Sequence, residues 1–262
     1  YDPGAGHLVT FTQFFFIACH GLIFTSKFFT VKPVIAMRDY VTLVVMYCVS
    51  SVCNNYAFNF HIPMPLHMIF RAGSLMANMV MGIIILKKSY DIWKYISVIL
   101  ITLGIIVCTV SSASNLKTLN KLQTHNESFG IIFWWSIGIA LLTVALFVLA
   151  RMGIYQETLF KKYGKHPNEA LFFTHALPLP GFVLLYKSIA SHSVIAIDSE
   201  PNFIFGIGIP IQVLSLLGSM VTQYLCISSV YVLTTECPSL TVTLVVTLRK
   251  FVSLLFSIVY FK

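Results

Sequence analysis

Long apolar runs separated by short polar breaks dominate the chain, and none alternates apolar with polar residues as a half-buried strand would. Eight runs come close to the ~20 residues that a helix needs to cross ~30 Å of hydrocarbon. They are residues 8–26, 40–60, 64–86, 92–111, 130–150, 170–189, 203–233 and 239–261. Backbone groups in lipid must pair within their own segment or in a closed barrel, so the absence of alternation predicts helices. The fold class expected is an all-α polytopic membrane protein.

The breaks differ in charge. Lys27, Lys32 and Arg38 follow the first run, Lys87, Lys88 and Lys94 the third, and Arg151, Lys161, Lys162 and Lys165 the fifth. If every run spans, all of these fall on one side, and only Lys117, Lys121, Lys187 and Lys262 fall on the other. The basic side is then cytoplasmic. Asp198, Glu200 and the glycosylation acceptor Asn126-Glu127-Ser128 lie on the far side.

The polar stretch 113–129 parts the runs into two groups of four. Each group ends in a run with an internal basic residue, Arg71 in one and Arg249-Lys250 in the other. Each of those runs also opens beside a proline, Pro65 or Pro238. This symmetry suggests inverted repeats, residues 1–112 and 130–262, joined by the loop 113–129.

Composition narrows the class further. Apolar side chains make up 57% of the chain and charged ones 10%, with a mean hydropathy of +0.85. A soluble domain carries roughly 25% charged residues, so the surface here faces something other than water. The net charge of +8 reads as cytoplasmic loop charge, not as a nucleic-acid footprint. The 6 cysteines lie in or beside apolar runs without metal spacing, as small apolar fillers. The chain starts at Tyr1 and stops at Lys262 directly after an apolar run, so it reads as cut at both ends.

Polar residues inside the runs fall on helical faces. His67, Arg71, Ser74 and Asn78 share one face of the third run, and Ser51, Asn55 and Asn59 one face of the second. The seventh carries Ser215, Ser219, Thr222, Cys226 and Ser229, with Gln223 and Tyr224 beside them. The eighth carries Thr243, Thr247, Lys250 and Ser257, and the first Thr10, Gln13 and His20. Helix–helix contact explains any one Ser or Thr; a polar cavity explains the set. The cations are more pointed. Arg71, Arg249 and Lys250 each cost roughly 3 kcal/mol at mid-membrane on insertion scales. Glu236, close to one end of a span, is the only nearby acid. Either Glu236 pairs with Arg249 and the cations snorkel, or the three form a site for an anionic ligand. No HExxH, GxSxG, P-loop or carboxylate pair supports an enzyme, and no metal or cofactor is expected. His7, His125, His166 and His192 read as loop residues, and Gly206 and Gly208 as packing contacts.

Several strings resemble nucleotide-sugar transporters. Pro65-Leu66-His67-Met68-Ile69-Phe70-Arg71-Ala72-Gly73-Ser74 is similar to the family's phosphate-contacting fourth helix. Residues 241–253, with Thr247-Leu248-Arg249-Lys250, are similar to its ninth. Val52-Cys53-Asn54-Asn55-Tyr56-Ala57, Gly164-Lys165-His166 and His175-Ala176-Leu177-Pro178-Leu179-Pro180-Gly181 resemble its UDP-xylose and UDP-N-acetylglucosamine branch. The resemblance covers essentially the whole chain. It implies two inverted five-helix repeats around a central cavity, with this chain lacking the first and last helices and therefore not expected to transport alone. The less basic side, including 113–129, is then the lumen.

The resemblance also implies antiport of cytosolic UDP-sugars against lumenal UMP, in a multi-pass protein of the Golgi or endoplasmic reticulum membrane. Its partners are those ligands and the bilayer, and a homodimer is compatible with it. In the GDP-mannose branch, F-Y-N-N and G-A-L-N-K strings contact the ligand. Phe172, Phe173, Thr174 and His175 stand at the first, and Val246, Thr247, Leu248, Arg249 and Lys250 at the second. These departures argue against GDP-mannose. The expected substrate residues are Arg71, Ser74, Asn55, Tyr56, Phe173 and Thr174, with His175, Gln223, Tyr224, Thr247, Arg249 and Lys250. Arg71 and Lys250 are expected to clamp the diphosphate. A general metabolite exporter of the same fold, or a membrane enzyme or receptor, is the competing reading.

Overall fold

The computed structural model describes residues 6–57, 60, 70, 73–120, 127–199, 201–204 and 207–260. Helices α1 (Gly6–Phe24), α2 (Met37–Ala57), α3 (Ser74–Leu86), α4 (Ile92–Asn120) and α5 (Glu127–Tyr163) come first. After α6 (Pro167–Ala176), a 3-10 segment (Leu179–Leu185) and α7 (Tyr186–Ile197), the strands β1 (Pro201–Ile204) and β2 (Ile207–Pro210) form a hairpin. Helices α8 (Ile211–Glu236) and α9 (Ser239–Tyr260) complete the chain. The class is all-α, as the apolar runs predict. Four stretches among the described residues are long and apolar enough to cross a membrane: Gly6–Phe24, Phe133–Tyr163, Pro167–Ile197 and Ile211–Glu236.

Four runs differ from the sequence reading. The run 170–189 is not one helix. Pro178 and Pro180 have no N–H, so the carbonyls of Thr174 and Ala176 lose their intrahelical donors. The last α-type bond runs from Leu177 N–H to the Phe173 carbonyl, and Gly181 N–H instead reaches back three residues to Pro178 at 2.9 Å. The run 203–233 begins in the hairpin, where Gly208 stands opposite Phe203 in strand register instead of serving as a helix packing contact. Pro210 ends that hairpin and α8 follows at once. Finally, α4 and α5 extend into the polar stretch, so 113–120 and 127–129 are helical. With 37 residues, α5 is about 55 Å long at 1.5 Å per residue, well beyond the hydrocarbon thickness.

Two compact units can be distinguished, Tyr1–Val44 with Leu159–Glu236 and Val45–Thr158 with Cys237–Lys262. In the first, α1 packs against α6, α7, α8 and the 3-10 segment. Its core is Leu8, Phe14, Ile17 and Ala18 of α1 with Ala170, Leu171, Phe172 and Phe173 of α6. Gly21 makes that approach possible, since a Cβ there would stand 2.6 Å from the Phe172 ring. In the second, α3 packs against α4 and α9. Helix α5 joins them through Leu142 against Ala57, and through Leu146 and Ala150 against Ala77. On α4, Trp93, Leu100, Leu103, Val107 and Val110 are exposed. Such a face is stable in lipid and costly in water.

Candidate functional site

Within the first unit, the expected site residues of α6 sit in an aromatic nest. Proline at the first helical position starts α6, and the two turns that follow carry Glu169 and then Phe173, Thr174 and His175. The Phe173 ring stacks on Tyr40 at 4.9 Å and 22°. His175 lies 4.7 Å from the Phe14 ring and 6.2 Å from that of Tyr231. Its Nδ1 donates to the Leu171 carbonyl at 2.8 Å, since that oxygen can only accept. This leaves Nε2 as the acceptor of the neutral ring. Thr174 Oγ1 donates to the Ala170 carbonyl at 2.6 Å and accepts from the Tyr231 hydroxyl at 2.6 Å. Phe173 and His175 are buried and Thr174 half-buried, so among these three Thr174 presents the accessible polar atom.

The polar seams expected on the first and seventh runs meet each other. Gln13 Nε2 donates to Ser219 Oγ at 2.9 Å. Two turns on, His20 Nε2 and the Tyr224 hydroxyl are 3.3 Å apart with their rings 4.6 Å apart. Tyr224 is further braced edge-on by Phe16. Gln223, next to it, is half-buried. His20 and Tyr231 thus join Tyr224 and Thr174 as polar groups of this unit.

Within the second unit the α2 seam is rotated from its expected position, whereas the described parts of the α3 and α9 seams meet each other. On α2 the buried pair is Ser50 and Asn54, not Ser51 and Asn55. Ser50 Oγ donates to the Ala145 carbonyl of α5 at 3.1 Å, while Asn55 and Tyr56 are exposed. Tyr56 lies 6.1 Å from the Phe60 ring, which in turn stacks on Trp134. Ser74 opens α3, half-buried, and one turn on the buried Asn78 donates from Nδ2 to Thr243 Oγ1 of α9. Asn78 Oδ1 has no partner among the described residues. Thr247, also buried, donates to the Thr243 carbonyl at 2.7 Å. The Thr243–Thr247 face of α9 is therefore turned to α3, and helical spacing puts position 250 on that face. Arg249 is exposed. Arg71, the Lys250 side chain, His67, Asn59 and Asn126 lie outside the described residues.

Acids have partners that spacing did not suggest. Glu157 is buried; its Oε1 pairs with Lys88 Nζ at 2.5 Å and its Oε2 accepts the Ser239 N–H at 2.9 Å, capping α9. Burial first, then the Glu157 charge and Tyr95, holds the Tyr90 phenol above its usual range. Glu236 pairs with Lys165 at 2.5 Å. Glu169 accepts from Val34 and Ile35 N–H and from Tyr40. None of these acids forms a catalytic pair.

The chain has counterparts among known proteins. A profile of the UAA transporter family matches residues 1–262. The endoplasmic reticulum GDP-fucose transporter of Drosophila melanogaster is 62% identical, over 100% of this chain and 76% of that protein. The human nucleotide sugar transporter SLC35B4 is 54% identical over 99% of this chain and 79% of its own length. The UDP-xylose and UDP-N-acetylglucosamine transporter of Danio rerio is 53% identical with the same coverage, 99% and 79%. With a family match over its whole length, helices long and apolar enough to span a membrane, and nucleotide-sugar transporters as relatives, the chain belongs to the UAA transporter family, a family of transporters and not of enzymes.

Proposed function

We propose that the protein exchanges cytosolic UDP-N-acetylglucosamine or UDP-xylose for lumenal UMP by alternating access. Kinship over nearly the entire chain with the Danio rerio transporter named for those two sugars carries the reading. The polar seams support it, because side chains able to hydrogen-bond in lipid belong on packed or wet faces. Arg71 of the first repeat (1–112) and Lys250 of the second (130–262) clamp the diphosphate, with Arg249 beside them. Thr174, Gln223 and Tyr224 supply polar contacts to base and sugar, and Phe173 and His175 hold Thr174 in place. An unoccupied cationic site is costly in the membrane, which favours exchange over net export. The membrane is that of the Golgi or the endoplasmic reticulum.

A second reading, GDP-fucose as the cargo, is favoured by the 62% identity with the Drosophila melanogaster protein of that name. Purified full-length protein in vesicles preloaded with UMP or GMP separates the two. Uptake of UDP-N-acetylglucosamine or UDP-xylose stimulated by internal UMP is the expected result. Stimulation of GDP-fucose uptake by GMP alone would replace the first reading with the second, and no nucleotide-dependent uptake would remove both.

A further inference from the structure

A groove of about 670 Å³ lies in the second unit, with Met46 of α2 and Met81 of α3 on one wall. The other wall is a stripe of α5 running from Ala140 through Thr143 and Phe147 to Arg151. The lining is apolar apart from two groups. Thr143 Oγ1 donates to the Ile139 carbonyl of its own helix at 2.8 Å, so its one proton is used. Arg151, exposed at the end of the stripe, is the sole charge among the described residues that line the groove. A nucleotide sugar needs several well-placed polar partners, and this groove does not supply them. It is a different kind of site from the one proposed above.

Its dimensions match half a bilayer. From Ala140 to Arg151 the stripe is about 16 Å long at 1.5 Å per residue, against a hydrocarbon half-thickness of about 15 Å. Exposed Trp134 stands about 26 Å before Arg151 on the same helix, as an aromatic residue at the opposite interface would. Lys161, Lys162 and Lys165 follow Arg151 and mark that end as cytosolic. An apolar channel of one-leaflet length, ending in one cation at headgroup depth, complements a chain with an anionic head. We propose that this groove binds an acyl chain of an anionic glycerophospholipid from the cytosolic leaflet, with its phosphate on Arg151.

The test is native mass spectrometry of the purified protein in micelles holding equal amounts of phosphatidylglycerol and phosphatidylcholine. One retained phosphatidylglycerol is expected, favoured about five-fold, the factor for one basic side chain at an anionic surface. Arg151→Gln should lose that preference and Arg151→Lys keep it, whereas Ala140→Trp, which fills the groove, should lose the lipid whatever its headgroup. Equal retention of the two lipids, or an unchanged preference in Arg151→Gln, would overturn the proposal. So would full displacement of the lipid by inorganic phosphate, which would make Arg151 a free-anion site. Efficient cross-linking of two copies through Ala140→Cys would assign the groove to a second copy and overturn it too.

Discussion

The Tyr40 hydroxyl donates to Glu169 Oε1 at 2.8 Å, and the same carboxylate accepts the backbone N–H groups of Val34 and Ile35 at 3.0 Å each. Tyr40 and Ile35 are almost completely buried. One side chain in the first turn of α6 thus ties down the loop before α2 and the first turn of α2. Glu169→Ala should remove the acceptor from all three donors and cost about 2 kcal/mol, the scale of hydrogen bonds to a charged group. Tyr40→Phe, which deletes one donor and keeps the ring on Phe173, should cost about 1 kcal/mol. Thermal melting in detergent orders them; equal losses would mean that the Tyr40 hydroxyl bond alone, and not the two backbone donors, accounts for what the carboxylate contributes.

Gly21 is required by contact, not by backbone conformation. A Cβ at this position meets the Cδ2, Cβ and Cγ of Phe172 at 2.6–2.9 Å, and Phe172 is buried. Gly21→Ala should therefore cost about 1–3 kcal/mol, as overpacking does. Pairing it with Phe172→Leu should recover part of the loss. A melting temperature unchanged by Gly21→Ala would show that α1 and α6 slide apart freely.

Lys88 and Glu157 should be unequal partners. The Glu157 side chain is 6% exposed and that of Lys88 25%, so removing the lysine leaves a buried carboxylate deprived of this cation. Lys88→Ala should cost about 2 kcal/mol, below the full cost of breaking a wholly buried pair because water reaches the lysine. Glu157→Gln keeps an acceptor for the Ser239 N–H and should cost about 1 kcal/mol. Denaturation of both single variants and the double variant measures the coupling; additive losses would remove the ion pair as a stabilising feature.

Arg71→Ala and Lys250→Ala should each abolish uptake of UDP-sugars and exchange of UMP while leaving membrane insertion intact. The expected loss exceeds ten-fold for either, since a charge-assisted contact to phosphate contributes about 1.5–3 kcal/mol. Arg249→Ala should have a smaller effect, because residue 249 is turned about 100° from residue 250 and is exposed. Near-parental UMP exchange by both Arg71→Ala and Lys250→Ala, with normal insertion, would make these cations structural.

Helix content and membrane class were legible from the sequence because both are local: a run of apolar side chains wide enough for a bilayer leaves the backbone one way to pair. The seams of α1 and α8 were legible too, since Gln13 with Ser219 and His20 with Tyr224 need only the right spacing on each helix. The break at Pro178 and Pro180 was written in the chain, yet hydropathy, which ignores missing N–H groups, runs straight through it. Which side of α2 turns inward was not legible. Its polar residues come in adjacent pairs, Ser50-Ser51 and Asn54-Asn55, so spacing offers two faces, and only the Ala145 carbonyl and the Ala57–Leu142 contact select Ser50 and Asn54 over their neighbours. Glu157 likewise looks like one more polar residue after a span until tertiary structure brings Lys88 and the start of α9 to it. Periodicity records how residues lie on one helix; a partner for a buried charge comes from another helix, and only packing brings the two together.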